Sequence, residues 1–286
     1  MDRLCAMSLS NPAVVETQTP ESLFRVGIPH DEGDRGWTLM QTGPWMNDPA
    51  GLTAAGSIGV LVDDSLGHQV FMTRPAHTAS VTSELSMDIL VPPPWSTREG
   101  PGTELRAESR LLHKDADGGF AECRVFNDAE QLIAVATTWC RFIPLPDDVV
   151  MPESEEDWIL DTPGNKHTLF DVLGARLQSN ESGVRLVLAP STDLTNPLGI
   201  AHGGVLIAGT EIAGNHAVSA VMTEPVTTSI RMNYLRPAPM DAELTFTTEV
   251  MHRGRSVSVA RVTSVGTSGK PCSVGTVTCR RVARES

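Results

Sequence analysis

The stretch from Asn196 to Gly214, NPLGIAHGGVLIAGTEIAG, places a single acid inside an apolar run. After its His-Gly-Gly step, His202–Gly204, apolar or small residues cover every face that a helix would have. A helix of this kind is buried, not amphipathic. Glycines at positions 209 and 214 weaken a helix, so we expect them where its backbone lies close to a sheet. Glu211, nine residues after the histidine, would then be a buried carboxyl group, which is costly unless it has a partner or a function.

The composition excludes several classes of partner. The chain has 286 residues and a net charge of -13, and such a surface repels nucleic acid and anionic membranes. The five cysteines show no CxxC spacing, so we expect no zinc or other metal site and no redox pair. An odd number of cysteines and the lack of an apolar leader or membrane-spanning run favour a cytoplasmic protein.

An internal repeat organises the chain. The segment Ala55–Gly67 matches His202–Gly214 and aligns Asp64 with Glu211. The other matches pair Asn47–Gly51 with Asn196–Gly199, Ser83–Pro93 with Ser229–Ala238, Leu111–Phe126 with Val250–Thr263, and Thr137–Phe142 with Thr276–Arg281. A period of about half the chain indicates two copies of one domain. We therefore expect domains at 1–150 and 151–286, joined by the proline-rich and acidic linker Pro144–Asp157.

Each copy has the pattern of a central helix with strands around it. Residues alternate between apolar and polar over Thr227–Pro237, which predicts a half-buried strand. The following segment predicts a hairpin that turns at Arg253–Arg255, and Ser268–Pro271 predicts another turn. The sequence therefore indicates an α+β protein with two similar halves.

Three motifs carry a resemblance to a known family. They are NPLGIAHGG with an acid nine residues after the histidine, RMNYLRPA, and HRGRS, which together resemble the hotdog-fold acyl-CoA thioesterases. The likeness is nearest to the phenylacetate-pathway and aryl-CoA branch. It covers Leu160–Val282 and, more weakly through the repeat, Trp37–Phe142.

The resemblance implies a tandem double hotdog. In each half a long central helix is wrapped by a curved antiparallel sheet, and the two sheets join as a pseudo-dimer. It also implies an acyl-CoA thioester hydrolase of lipid metabolism that needs no cofactor, because coenzyme A enters as part of the substrate. Chains of this kind pair further, so we expect a homo-oligomer, either a dimer or a trimer.

Thioester hydrolysis requires a group that polarises the carbonyl and a carboxylate that attacks it or activates water. The N-terminus of a helix at Gly203 and Gly204 supplies unpaired N–H groups and a partial positive charge. The side chain of His202 can add a donor to the same oxygen. The resemblance gives this role to His202 and Gly203, and it gives Asn196 the task of positioning the nucleophile.

The acid must come from the other copy. Glu211 lies seven residues after Gly204, or roughly 10 Å along one helix, so a single thioester cannot contact both. An antiparallel helix from the first half would bring Asp64 to the His202 end, as nucleophile or general base. Asp63 is the alternative if the alignment slips by one residue.

The opposite site would combine Glu211 with Ala55 and Gly56, and it has no histidine. We therefore expect one complete site per chain. Glu211 then serves either a second active site or a hydrogen bond between the helices.

Supporting residues are predicted near each acid. His68 and Asn215 stand four residues after Asp64 and Glu211, where a polar residue could hold water or the carboxylate. Arg231, Arg253 and Arg255 could bind the coenzyme A phosphates, or they could be ordinary surface charges. Asn196, likewise, could simply begin a turn with the proline after it.

Two other functions fit the same fold. One is an acyl-CoA hydratase or dehydratase, although the spacing from Asp193 to His202 is too long for the hydratase signature. The other is a protein that binds acyl-CoA without catalysis. Thiol release from acyl-CoA separates hydrolysis from both.

Overall fold

The computed structural model describes residues 18–145, 168–180 and 183–281. These residues contain four α-helices: α1 (Pro20–Phe24), α2 (Gly59–Phe71), α3 (Leu169–Leu173) and α4 (Gly203–Ser219). Strands of the first half are β1 (His30–Glu32), β2 (Arg35–Gln41), β3 (Thr78–Ile89), β4 (Glu104–Lys114), β5 (Gly118–Phe126) and β6 (Leu132–Pro144). Strands of the second half are β7 (Ala175–Asn180), β8 (Gly183–Leu188), β9 (Pro225–Tyr234), β10 (Leu244–Arg253), β11 (Val257–Val265) and β12 (Pro271–Arg281).

All twelve strands form one antiparallel sheet in the order β1-β2-β4-β5-β6-β3-β9-β12-β11-β10-β8-β7. The halves meet where β3 pairs with β9, from Glu84 opposite Asn233 to Asp88 opposite Ser229. Six strands and one long helix therefore occur twice, and the two sheets continue into each other. The predicted double hotdog is confirmed. The linker lies outside the described residues from position 146 onward, so the boundary between 150 and 151 stays a prediction.

The apolar run that follows His202 forms α4, and the sheet covers it. Every residue of this helix from Gly204 to Gly214 is buried. A Cβ on Gly209 would fall 2.5 Å from the ring of Phe246, and one on Gly214 would fall 2.6 Å from Val277. These glycines therefore allow the close approach of helix and sheet that the sequence predicted. Within the described residues, no helix combines the length and the apolarity needed to cross a membrane.

The two central helices cross antiparallel and in backbone contact. A Cβ on Gly59 would lie 2.6 Å from the carbonyl oxygen of Gly204, and one on Gly204 would overlap the backbone of Gly59 and Val60. Further along, a Cβ on Gly56 would meet the Cβ of Glu211 at 2.7 Å. The first turn of each helix therefore lies beside the acid of the other.

Candidate active site

The first composite site, the His202 site, consists of Asp63, Thr82, His202, Gly203 and Gly204. The N–H of Gly204 donates to Oδ2 of Asp63 at 3.0 Å, and the hydroxyl of Thr82 donates to Oδ1 at 2.9 Å. A Cβ on Gly203 would lie 2.5 Å from Asp63 Oδ2, so a larger residue would displace the acid. An acid from the first half thus binds the helix N-terminus of the second half, as the helix rise indicated.

The second composite site, the Glu211 site, consists of Glu211, Thr227, Asn215 and Gly56. Thr227 donates to Oε1 of Glu211 at 2.5 Å, and the backbone of Gly56 lies against the same side chain. Asn215 donates to the hydroxyl of Thr227 at 3.0 Å, so it supports the acid through the threonine. Burial raises the pKa of Glu211 above its ordinary value, although the hydroxyl of Thr227 and the backbone of Gly56 oppose the shift.

The predicted alignment of the two halves is wrong by one residue, and Asp63 occupies the place assigned to Asp64. Asp63 and Glu211 each accept from a threonine hydroxyl, and each lies against a glycine at the start of the opposite half's helical segment, Gly204 for Asp63 and Gly56 for Glu211. The preceding turns agree with this alignment. Asp48 accepts from two backbone N–H groups within its turn, as Asn196 does, so Asp48 and not Asn47 is the equivalent of Asn196.

A sequence signal for this alignment exists. Pro49 and Gly51 match Pro197 and Gly199 at the same offset that relates Asp63 to Glu211. Both glycines have a positive φ, 79° and 72°, as the tight turn requires. At this offset the equivalent of His202 is Ala54 rather than Ala55.

Three predicted residues have other contacts. His68 pairs with Asp31 at 2.8 Å, so it does not hold either acid. Asp64 has one oxygen within 4.8 Å of ligand atoms of His202 and Glu21, and it does not take the hydrogen bond from Gly204. The side-chain oxygen of Asn196 accepts from its own turn, which supports the reading that this residue shapes the loop before the helix.

His202 has protein groups at both ring nitrogens. Its Nε2 lies 3.2 Å from Oε1 of Glu21. Its Nδ1 lies 3.4 Å from Oδ2 of Asp63 and is placed to accept from the N–H of Gly204 at 3.1 Å. The expected role of this ring as a direct donor to the substrate oxygen therefore lacks a free N–H in this arrangement.

The charge of the imidazole follows from these neighbours. Burial lowers the pKa of His202, but the hydrogen bond and charge of Glu21, with the charges of Asp63 and Asp64, raise it to about 9. The pKa of Glu21 is lowered by the same pairing, against the opposing effect of its burial. The N–H of Gly204 is shared between Nδ1 of His202 and Oδ2 of Asp63, at 3.1 and 3.0 Å. When the ring is protonated, Nδ1 cannot accept, so its own N–H faces Asp63 and the N–H of Gly204 donates to that acid alone.

Glu21 is the residue of this site that the sequence did not indicate. It lies in a five-residue helix far from every motif, and the repeat gives no sign of it because the other half has no acid there. Glu21, Asp64 and His202 form the one group of three metal-ligating side chains found within the described residues. The Glu21–His202 ion pair accounts for their proximity without a metal ion.

The predicted phosphate-binding arginines do not lie together. Arg231 bridges the halves, because it donates to Oδ1 of Asp88 at 2.6 Å and to the carbonyl of Met87. Arg253 and Arg255 are exposed at the turn between β10 and β11, next to the end of β12. Arg231 therefore joins the two halves of the sheet, whereas Arg253 and Arg255 lie near the C-terminal end of β12.

A cavity of about 290 Å³ opens at that same end. It is lined by Ile89, Pro92, Val226, Thr227, Thr228, Arg280 and Arg281. Through Thr227 it reaches the Glu211 site and not the His202 site, where the hydroxyl of Tyr234 donates to the carbonyl of Gly203. Thr227 and Tyr234 are seven residues apart on β9, which is roughly 23 Å along an extended strand.

Comparisons with known proteins agree with this architecture. The family model described as the thioesterase superfamily matches residues 198–272. No curated protein matches the sequence. The TesB protein of Mycobacterium avium subsp. paratuberculosis is 12% identical, with a TM-score of 0.58 over 89% of this chain and 96% of that chain.

Two further solved structures have the same extent of similarity. The acyl-CoA thioesterase II TesB2 from Mycobacterium marinum is 11% identical, with a TM-score of 0.56 over 93% of this chain and 98% of that chain. The 12:0-ACP thioesterase from Umbellularia californica is 11% identical, with a TM-score of 0.57 over 87% and 94%. At such identities the similarity shows the fold. The resemblance is thereby confirmed: the chain is a double hotdog in which residues 198–272 match the thioesterase superfamily.

Proposed function

We propose that this protein hydrolyses acyl-CoA thioesters at the His202 site. The observation that carries the proposal is the hydrogen bond from the N–H of Gly204, at the start of α4, to Asp63 of the other half. A carboxylate at a helix N-terminus combines the base with the electrostatic donors that acyl transfer requires. The thioesterase match of residues 198–272 covers Gly203 and Gly204 and supports the same reaction class.

In the reaction that we propose, the thioester carbonyl oxygen accepts from the N–H of Gly203, the first residue of α4. Such an N–H has no acceptor within its own helix. Asp63 removes a proton from water while the water oxygen attacks the carbonyl carbon, and the oxyanion that forms is stabilised by the N–H. The carbon–sulfur bond then breaks, and the thiolate of coenzyme A takes the proton from Asp63. Direct attack by Asp63, followed by hydrolysis of the anhydride, requires the same geometry.

The neighbouring residues prepare Asp63 for this role. Thr82 fixes the orientation of the carboxylate by donating to Oδ1. The imidazolium of His202 places a positive charge 3.4 Å from Oδ2. His202 therefore acts on the acid, and the backbone of α4 acts on the substrate.

The Glu211 site is a second candidate for acyl-CoA binding. The cavity reaches Thr227, which donates to Glu211, and Arg280 and Arg281 line it. Arg253 and Arg255 lie in the adjacent turn. Against a net charge of -13, a local group of arginines is what the phosphates of coenzyme A need.

Thiol release from a panel of short, long, branched and aromatic acyl-CoAs tests the proposed reaction. We expect release of free coenzyme A together with the acid. Conversion of crotonyl-CoA without thiol release would instead indicate a hydratase. Saturable binding of acyl-CoA with no conversion would indicate a binding protein.

We also propose that the chain forms a homo-oligomer in the cytoplasm. The cysteines within the described residues, Cys123, Cys140, Cys272 and Cys279, are free and buried, which suits a reducing compartment. Light scattering of the purified protein would give the number of chains, which we expect to be two or three.

A further inference from the structure

Resting on the function proposed above, we propose that Glu21 is a positioning residue of the His202 site. It fixes the orientation of the His202 ring and keeps the ring positively charged where it faces Asp63. Glu21 itself does not contact the reacting atoms, so its effect passes through the histidine.

The fold holds Glu21 rigidly. It lies in the first turn of α1, which starts with reciprocal hydrogen bonds between Thr19 and Ser22. The carbonyl of Glu21 accepts from the N–H of Val26, and Val26 pairs with Met40 of β2. Its carboxylate therefore reaches His202 from a fixed backbone, and Oε1 lies 3.2 Å from Nε2.

The other half of the molecule provides an internal comparison. Helix α3 begins with the same kind of cap, made by Thr168 and Asp171. By this cap the equivalent of Glu21 is Phe170, and by the preceding turn the equivalent of His202 is Ala54. Both are apolar and pack against the core. Glu21 comes from the first half and His202 from the second, and their equivalents Phe170 and Ala54 lie beside the Glu211 site. The acid and the imidazole are therefore present together at one composite site and absent together at the other, as a functional pair requires.

Burial explains why the pair must change together. The side chain of His202 is 9% exposed, so a charged ring without a partner would be costly there. The charged groups that face it are Glu21 from α1 and Asp63 and Asp64 from α2. Of these, Glu21 lies nearest to a ring nitrogen, with Oε1 3.2 Å from Nε2, and it makes the largest contribution that opposes the effect of burial on the pKa of His202.

The variant Glu21→Gln tests the inference, because glutamine can accept the same hydrogen bond but has no charge. Nitrogen-15 NMR of the imidazoles, with the His202 signal assigned by its loss in His202→Gln, follows the charge directly. In the wild type we expect the ring to stay protonated up to a pH of about 9. In Glu21→Gln we expect its titration to move down by at least about one pH unit.

Activity gives the second measurement. In Glu21→Gln the upper limit of the pH profile of kcat should move down with the histidine, while KM changes little. Glu21→Asp, which retains the charge, should restore part of the profile. Asp31→Asn is the matched control, because it removes the acid of a different pair, His68–Asp31, and should change neither measurement.

The outcomes separate this inference from the proposed function. An unchanged titration of His202 in Glu21→Gln would overturn the role of Glu21, even if the wild type hydrolyses acyl-CoA. A uniform loss of kcat with an unchanged titration would do the same, since it would show only a structural effect. A shifted titration in a protein that releases no thiol from any substrate would refute the function and leave the pairing intact.

Discussion

At the scale of single residues, the two sites hold their acids in the same way but surround them differently. Asp63 and Glu211 each accept from a threonine and lie against a glycine backbone contributed by the opposite half. Only Asp63 also faces an imidazolium, at 3.4 Å. Glu211 is 2% exposed, and burial raises its pKa, which favours its uncharged form. We therefore expect the His202 site to supply most of the hydrolysis.

Gly203→Ala should remove activity while the protein stays folded. The added Cβ would lie 2.5 Å from Asp63 Oδ2 and would displace the acid from the helix N-terminus. A misplacement of the acid by about 1 Å lowers the rate about a hundredfold, and measurement of kcat/KM would show the loss. Gly67→Ala is the control, since no atom lies within 4 Å of its added Cβ, and its activity should equal that of the wild type. Near-normal activity of Gly203→Ala would contradict the geometry.

The charge of His202 also predicts how stability depends on pH. Its pKa is about 9 in the folded protein and 6.5 as the ordinary value, so folding favours the protonated ring. This stabilisation is complete below a pH of about 6.5 and is lost as the pH rises through 9. Melting temperatures should therefore fall across this interval in the wild type. The fall should be smaller in His202→Gln, and equal slopes for both proteins would refute the raised pKa.

At the scale of elements, the sequence predicted the helix and strands of the second half well. The continuous apolar run after His202 identified α4, because a helix buried on all sides needs apolar residues on every face. The alternation of apolar and polar residues over Thr227–Pro237 identified β9, because a strand buried on one side needs an apolar residue at every second position. The alignment of Asp63 was missed because Gly67 follows Asp64 by three residues, as Gly214 follows Glu211, and this match favoured the wrong acid. Pro49 and Gly51 would have fixed it, since the turn needs those residues at fixed positions.

Glu21 was beyond the reach of pattern reasoning. The ion pair with His202 joins residues 181 positions apart, and it depends on how α1 packs against the start of α4. Local sequence gives the cap of α1, from Thr19 and Ser22, but not what the helix faces. Contacts of this kind follow from tertiary packing alone.

The crossing of α2 and α4 predicts unequal effects for two glycines of the same helix. In Gly59→Ala the new Cβ would lie 2.6 Å from the carbonyl oxygen of Gly204 and would push the helices apart. Such overpacking costs about 1–3 kcal/mol. Gly67→Ala has open space and should instead stabilise by up to about 1 kcal/mol. Urea unfolding of both variants would measure the difference, and a stabilised Gly59→Ala would contradict the close crossing.

At the scale of the whole molecule, the pairing of β3 with β9 creates two sites that have diverged. At the His202 site three acids, Glu21, Asp63 and Asp64, surround one imidazole. The Glu211 site instead opens to a cavity lined by two arginines. The hairpin turns differ in the same sense. β4 ends at Lys114 and β10 at its equivalent, Arg253; the turn that follows contains Asp115 and Asp117 in the first half and Arg255 in the second. One chain thus provides both halves of each site and can specialise them separately, which an identical pair of chains cannot do.

The central claim is that Asp63, held at the start of α4, carries the hydrolysis. Thiol release should be compared among the wild type, Asp63→Asn and Glu211→Gln, with the best substrate of the acyl-CoA panel. We predict that Asp63→Asn loses at least about a hundredfold in kcat, while Glu211→Gln keeps most of the wild-type rate. Full activity of Asp63→Asn together with loss of activity in Glu211→Gln would contradict the account and assign the reaction to the other site.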